Sequence, residues 1–501
     1  MKRVISLILC GVVLLTTLLS SVSCADGGNE GTNETESQTA PAQEIETADP
    51  NYADELPEMS FGGKTVHALV AGQNGASDEL YAEKLKQELI NDAVYERNRT
   101  VESRLDILLE IDRADSGGSL HQVAKKIHDL VMTGTDDYQF CSGPSFITVK
   151  NIVNGDYLNL PDFIWLDLDK YYWSQGYNDM ATWGDGYQYT ASGSIALSLF
   201  RYMYVTLYNK DIMVDYQLDD PYETVAAGTW TIEYQTQLTS GMYRDLNGDG
   251  LSGKEDAFGF VSGNHISSDP YWISSQATVL DKDENGYYVY NADTARIYDA
   301  VDAVLALYYR PDAFIFLEEN DQTSSESIIT AFSENRAFMV TVMINKLETS
   351  LRDFKGEYAI LPIPKLDAAQ DRYHTCVQDQ VTGFSVPACC PDSKQDMVGA
   401  VLECLASESY KTVVDAYYNT ALSYRYLNNP ESKVILDLIY ENVSFEIAQV
   451  YTGTIGNFLV DMRSIIKSKQ NTTTSTFKKM KKTMEKAVKD VNAAYERIVS
   501  R

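Results

Sequence analysis

Residues 208–260 read YNKDIMVDYQLDDPYETVAAGTWTIEYQTQLTSGMYRDLNGDGLSGKEDAFGF, and the division of the chain follows from this stretch. It carries two signals. The first runs from YNK through DDPYETVAAGTWTIE and predicts a strand end, a short helix, a turn at Gly228 and a new helix with Thr229 as its N-cap just ahead of Trp230. The second is Asp245-Leu-Asn247-Gly-Asp249-Gly250, closed by Asp256. Asp245, Asn247, Asp249 and Asp256 stand at positions 1, 3, 5 and 12 of an EF-hand-type loop, with Gly at position 6 for the bend and the Leu251 carbonyl at position 7. This spacing predicts a structural Ca2+ loop that stiffens the turn. The bland alternative is a solvated acidic turn.

The chain around this stretch has 501 residues, room for two or three domains, and 44% of them are hydrophobic. Its 34 tyrosines suit both a core and a sugar-stacking surface, since each ring has a flat apolar face and a polar edge. A net charge of −31 argues against nucleic acid as a partner.

At the N-terminus, Lys2 and Arg3 precede the apolar run 4–19, which is short for a membrane span and right for a signal peptide. The run ends SSVSC, a lipobox-like sequence with Ser21 in place of the usual leucine, which makes Cys24 the expected lipidation site and residues 1–23 the leader. Residues 25–56 hold nine acidic residues and no Lys or Arg. They cannot bury a core, so residues 24–56 are expected to be a lipidated, disordered acidic tether.

Beyond the tether the pattern alternates between strand and helix. Strands are predicted at 64–70, 107–111 and 138–141, with helical periodicity over 80–105, on Leu85, Leu89, Ile90, Val94 and Val101, and over 119–132. This alternation argues for a parallel α/β lobe. Next come IWLDLDKYYWSQGYNDMATWGDGYQY and, later, SSDPYW. Aromatic rings among Gly, Asn and Asp are candidates for a ligand surface: Tyr172, Trp173, Trp183, Tyr271 and Trp272. The alternative is that they pack the lobe and brace its loops.

The ordered set of YNK, GTW, the acidic loop, AFSENRAFMVTVM and YAILPIPKLDAAQDRYH resembles the extracellular solute-binding proteins (family 1) of ABC importers, the class of maltose-binding protein. Asn335 and Arg336 stand where that family has glycine-lysine, and its following tryptophan is missing near Asn345 and Lys346. The resemblance implies a class II two-lobed periplasmic-binding-protein-like α/β fold with a hinge. Lobe 1 would be 57–200 with 362–408, and lobe 2 would be 201–361 with 409–501. YAILPIPK would cross back to lobe 1. The resemblance also implies a monomeric extracellular lipoprotein, anchored by its lipid on the outer face of a bacterial cell membrane, that carries a small-molecule solute, an oligosaccharide, to a membrane permease. Trp230 in the GTW turn joins the ligand candidates on the same basis.

Enzyme motifs are absent: the chain has no HExxH, no GxxxxGK followed by Ser or Thr, and no GxSxG, and its five histidines have no ligand spacing. A secreted glycan-active enzyme and a sugar-polymer-binding surface lipoprotein remain the alternatives. The cysteines show no zinc spacing, and whether Cys376 pairs with Cys389 or Cys390 stays open. Cys404 is expected to be a buried thiol.

Overall fold

The structure is a computed structural model that describes residues 53–72, 77–114, 120–263, 267–317, 321–426 and 430–501. The leader, Cys24 and nearly all of the acidic tether lie outside the described residues. The chain divides into Met1–Thr47 and Ala48–Arg501, and only the second unit is described below.

β1 (Lys64–Ala71) is buried along its last four residues, as a parallel strand covered on both faces must be. β2 (Ile107–Ala114) pairs with it in parallel and alternates between core and water in its first half, the signature of an edge strand. β3 (Phe140–Pro144) pairs on the other side of β1 and is buried throughout.

The chain then leaves this sheet and builds a second one from β4 (Tyr204–Asn209), β5 (Phe258–Gly263), β8 (Ala313–Phe316), β9 (Ala337–Met343) and β10 (Tyr358–Leu361). A small hairpin, β6 (Leu280–Lys282) with β7 (Tyr288–Tyr290), is inserted between β5 and β8. On the way back, β11 (Thr375–Cys376) pairs with the later β13 (Val443–Ser444), and β12 (Thr382–Ser385) completes the first sheet.

The sheet orders are β12-β3-β1-β2 and β10-β4-β9-β5-β8. One winding plan is used twice. In each sheet the first parallel strand is central, and a strand arriving from the other half lies antiparallel beside the third: β12 beside β3, and β4 beside β9. This is the two-lobed arrangement expected from the sequence. A long helix, Thr473–Val499, packs against the helix Ser145–Asn154 behind the first sheet and against β7 and the helix Thr294–Tyr308 on the second. One contiguous apolar cluster runs through both sheets.

Several local expectations are corrected. The first helix begins at Leu89 and not near Leu80, because the Asn91 amide grips the Lys84 carbonyl and Asp92 accepts the Lys86 N–H, which folds 84–88 into a turn; Leu85 is left exposed. The cap after Gly228 is Thr231, whose hydroxyl accepts the Tyr234 N–H, so the helix starts at Ile232, two residues beyond the Thr229 site. YAILPIPK does not cross between lobes: β10 pairs antiparallel with β4 inside the second sheet, and residues 362–381 make the return. The five described cysteines are free thiols, and burial pushes Cys141, Cys390 and Cys404 up to about 12.

Candidate functional site

Both crossings run past the C-terminal ends of the parallel strands. β4 begins opposite Met343, the end of β9, and β12 begins opposite Pro144, the end of β3. Ligand sites in open α/β sheets form at these ends, where loops diverge and backbone groups are left unpaired. A pocket of about 490 Å3 lies here. Asp78 enters it from the turn after β1, Arg201 and Tyr202 from the first crossing, Asn345 and Glu348 from the helix after β9, and Gln378 and Gln380 from the return crossing.

Each side chain is set by local structure. The turn holding Asp78 is pinned by the first helix: Arg97 donates to the Glu79 carbonyl at 2.9 Å, and Asn98 donates to the Leu80 carbonyl at 2.7 Å. Glu79 itself is buried and accepts the Ser198 N–H at 2.6 Å, which ties the turn to the helix that ends in Arg201. Its second carboxyl oxygen has no partner, and burial pushes its pKa up to about 7. Arg201 forms a two-pronged ion pair with Glu348 at 2.9 and 3.4 Å, which joins the first crossing to the second sheet. The Gln378 N–H donates to the Tyr202 carbonyl, and the Ile344 N–H donates to the Met203 carbonyl, so both crossings and the end of β9 are fixed to one another.

The chemistry of this lining is hydrogen bonding. Gln378, Gln380 and Asn345 each carry a donor and an acceptor; Asp78 and Glu348 accept, and Arg201 donates. Such a set suits a solute bearing many hydroxyls, because each hydroxyl both gives and takes a hydrogen bond.

None of the six aromatic residues expected at the site lines this pocket. Tyr172 and Trp173 are buried against Glu403, with the Trp173 Nε1–H donating at 3.0 Å and the Tyr172 hydroxyl donating to the other carboxyl oxygen. Trp230 is buried in the second lobe, its indole donating to the Pro362 carbonyl at 2.8 Å. Tyr271 and Trp272 lie on the short helix Asp269–Ser274; the Tyr271 hydroxyl meets Thr341 and Gln235. Trp272 lines a second, smaller pocket.

Trp183 forms a sandwich. Its ring stacks on Tyr287 (4.5 Å, 4°) and on Tyr495 (5.0 Å, 19°), while its Nε1–H donates to Asn492 at 2.8 Å. Tyr287 belongs to the β6–β7 hairpin, whose Gly286 carbonyl accepts the Gly184 N–H at 3.0 Å, and Lys282 of the hairpin donates to the Asp179 carbonyl. At Gly286 (φ 77°) a Cβ would meet the Gly184 carbonyl at 2.5 Å, so this seat requires glycine. The hairpin from the second lobe is thus latched onto residues 179–187 of the first.

The 245–256 loop holds the oxygen donors that suit a hard cation, folded around its own backbone. Asp245 accepts the N–H groups of Gly248 and Gly250, Asp249 that of Leu251, and Asp256 those of Leu246 and Gly253. The N–H groups of Gly253 and Leu246 hold the Asp256 carboxyl below its usual range. Among the described residues no group of three or more His, Cys, Asp or Glu side chains is gathered closely enough to hold a metal ion. Likewise, among the described residues no helix is long and apolar enough to cross a membrane.

The pocket residues went unnoticed in the sequence because polar side chains at strand ends carry no periodic signal. The usable clue is their position, directly after β1 and β9 and directly before β4 and β12.

No protein-family model and no curated protein matches this chain. Solved structures do. The sugar-binding protein MalE from Xanthomonas citri superposes with a TM-score of 0.60 at 10% identity, over 86% of this chain and 99% of that one. UgpB from Mycobacterium tuberculosis, in complex with glycerophosphocholine, gives 0.52 at 16% identity over 79% and 95%. A family 1 extracellular solute-binding protein from Bifidobacterium longum subsp. infantis gives 0.51 at 12% identity over 87% and 100%. The chain therefore has the two-lobed α/β fold of the MalE-like family 1 extracellular solute-binding proteins.

Proposed function

We propose that this chain is the extracellular substrate-binding component of an ABC importer. It takes up a hydroxyl-rich solute, an oligosaccharide, in the pocket between its lobes and presents it to a membrane permease without making or breaking a bond. The observation that carries this reading is the convergence of planar polar side chains from both lobes and both crossings on one pocket. The fold supports it, as does the lipobox-like leader, from which Cys24 would be lipidated and hold a monomer at the outer face of the cell membrane through an acidic tether.

The test is thermal unfolding of the chain lacking its first 23 residues, against a panel of mono- and oligosaccharides with product analysis alongside. A ligand that binds only the folded state at about 100 times its Kd adds about 2.7 kcal/mol of stability. One sugar class is expected to raise the midpoint with no product released, and Gln378→Ala is expected to weaken that ligand about fivefold, the worth of one hydrogen bond. A flat response across the panel would rule out carbohydrate, and released product would point to a glycan-active enzyme.

The acidic loop enters the proposal as a structural calcium site. Asp245, Asn247, Asp249, the Leu251 carbonyl and Asp256, whose carboxyls the structure does not gather around one point, would have to draw together to hold the ion, which would stiffen the turn ahead of β5. Adding Ca2+ to EDTA-treated protein is expected to raise the unfolding midpoint, and Asp245→Ala to abolish the rise. A midpoint indifferent to both treatments would leave a turn held only by its Asp and Asn side chains.

A further inference from the structure

The helix Thr473–Val499 turns Phe477, Met484, Val488, Val491 and Tyr495 into the core and leaves its opposite face to water. That face is dominated by lysine. Lys478, Lys482, Lys486 and Lys489 recur at spacings of four, four and three, which stacks them in one stripe along about 16 Å of helix. All four are exposed, as are Lys479 and Lys481 beside them and Lys467 and Lys469 just before the helix. Residues 467–490 hold eight lysines against two acids, Glu485 and Asp490, a charge of +6, whereas the rest of the chain carries −37.

Helix stability does not account for this arrangement. Lys478 with Lys482, and Lys482 with Lys486, are like-charge pairs four residues apart, which repel. The first turn holds no acid, and the lysines crowd the N-terminal half, where the helix dipole favours negative charge. Little of the charge is neutralised nearby. Lys481 reaches Glu485 at 3.8 Å, Lys486 pairs with Asp490, and Lys479 lies near Asp461 of the preceding helix. Lys478, Lys482 and Lys489 have no ion-pair partner among the described residues. The stripe is thus a positive surface on an acidic protein, complementary to a negative partner.

Three features select that partner. The strip contains no arginine, so it lacks the planar fork that grips a carboxylate or phosphate in fixed geometry; ammonium groups on flexible stems suit phosphates whose positions shift. It stands on the outside of a helix, and of its lysines only Lys479 lines the cleft beside it, which offers a single small anion no cationic seat. It is straight, so it presents its charges to a plane. A fluid layer of anionic headgroups meets all three conditions, and each lysine held at such a layer strengthens adhesion about fivefold. The apolar face of the helix is already packed on the protein, so the contact is electrostatic, without insertion.

We infer that the lysine stripe of the helix Thr473–Val499 is a docking surface for an anionic lipid bilayer, which turns this face of an otherwise negative molecule toward the membrane. The contact needs no lipid on Cys24 and is separate from the pocket between the lobes.

The experiment is co-sedimentation of the chain lacking its first 23 residues, carrying no lipid, with vesicles of phosphatidylcholine alone and of phosphatidylcholine mixed with phosphatidylglycerol. Adhesion to the mixed vesicles only is expected, with release in about 1 M salt, where the Debye length falls to about 3 Å. Lys478→Gln, Lys482→Gln and Lys489→Gln together keep the helix propensity and are expected to weaken adhesion about a hundredfold. Lys84→Gln, Lys86→Gln and Lys254→Gln together change the net charge equally at exposed sites elsewhere and are expected to leave adhesion within about threefold. Thermal midpoints recorded in parallel show that each variant is folded. No adhesion to either vesicle, equal adhesion to both, adhesion that survives the added salt, or equal losses in the two triple variants would overturn the inference. Binding of soluble polyphosphate with no adhesion to vesicles would also overturn it and assign the stripe to a free polyanion. Saccharide titrations are expected to be alike in all three proteins, so failure of the transport reading leaves this one standing.

Discussion

Trp183→Ala is expected to cost the folded chain about 3–5 kcal/mol, the range for truncating a buried Trp to Ala. The ring is 2% exposed and loses two stacked partners at once, Tyr287 of the hairpin and Tyr495 of the C-terminal helix. The effect is expected to differ from that of an ordinary core truncation in kind. The sandwich joins residues 179–187, anchored on the first sheet, to the β6–β7 hairpin of the second, and its loss frees the two lobes to part. Trp183→Phe keeps a ring in the slot and removes only the bond to Asn492, which still accepts the Tyr288 N–H at 3.2 Å. That variant should lose about 1–2 kcal/mol. Denaturant unfolding gives the energies, and small-angle X-ray scattering gives the radius of gyration, which should rise in the Ala variant alone. Equal losses in both variants, with no expansion, would reduce Trp183 to a core residue without a latching role.

The second large effect is on pH. Burial pushes three carboxyls, Glu79, Glu403 and Glu446, up from 4.5 to about 7. An acid whose pKa is raised by folding stabilises the fold fully below its unfolded pKa, and that contribution is lost as pH rises through the folded value. Stability should therefore fall between about pH 4.5 and pH 7, by up to about 3 kcal/mol for a fully buried group. His374 acts in the opposite direction. Burial lowers its pKa from 6.5 to about 4, so stability is lost as pH falls through that interval. Three carboxyls outweigh one histidine, so the net slope stays negative from about pH 4.5 to pH 7 and the optimum lies below about pH 5 rather than at neutrality. Glu403→Gln isolates one contribution. The amide can still accept from Trp173 and meet the Tyr172 hydroxyl, but it has no charge to bury. Chemical denaturation at pH 5, 6, 7 and 8 should show a shallower decline in the variant than in the parent, and a variant more stable than the parent at pH 8. Parallel curves would mean that Glu403 titrates near its ordinary value.

The fold was readable where burial imposes a period. β1 and β2 fall within a few residues of the predicted strands, because a strand packed between two layers must present apolar residues along its length. Element starts were less readable. The cap at Thr231 and the turn at 84–88 depend on which of several nearby hydroxyl and amide groups reaches a backbone N–H, and spacing alone does not decide that.

The aromatic-rich loops told less about the pocket than their composition promised. Tyr172, Trp173 and Trp230 each have a polar edge, and the fold satisfies that edge internally, with Glu403 or the Pro362 carbonyl. An aromatic residue among glycines in a sequence looks the same whether its partner is a ligand or a carboxylate 230 positions downstream, as for Trp173 and Glu403. The inter-lobe pocket rests on pairings between β4, β9 and the return crossing, which no local window contains.

The strand that completes the first sheet has a consequence for biosynthesis. β3 acquires its antiparallel neighbour β12 from far along the chain; Ser145 at its end awaits the Val381 carbonyl, 236 positions later. At about 5–20 residues per second, the ribosome needs roughly 10–50 s to supply that neighbour. Until then the β3 edge offers unpaired N–H and C=O groups, a surface that invites pairing with other nascent chains. The helix Thr473–Val499, which packs on the helices Ser145–Asn154 and Thr294–Tyr308 and on β7, is made later still. The native state is thus unreachable during most of translation.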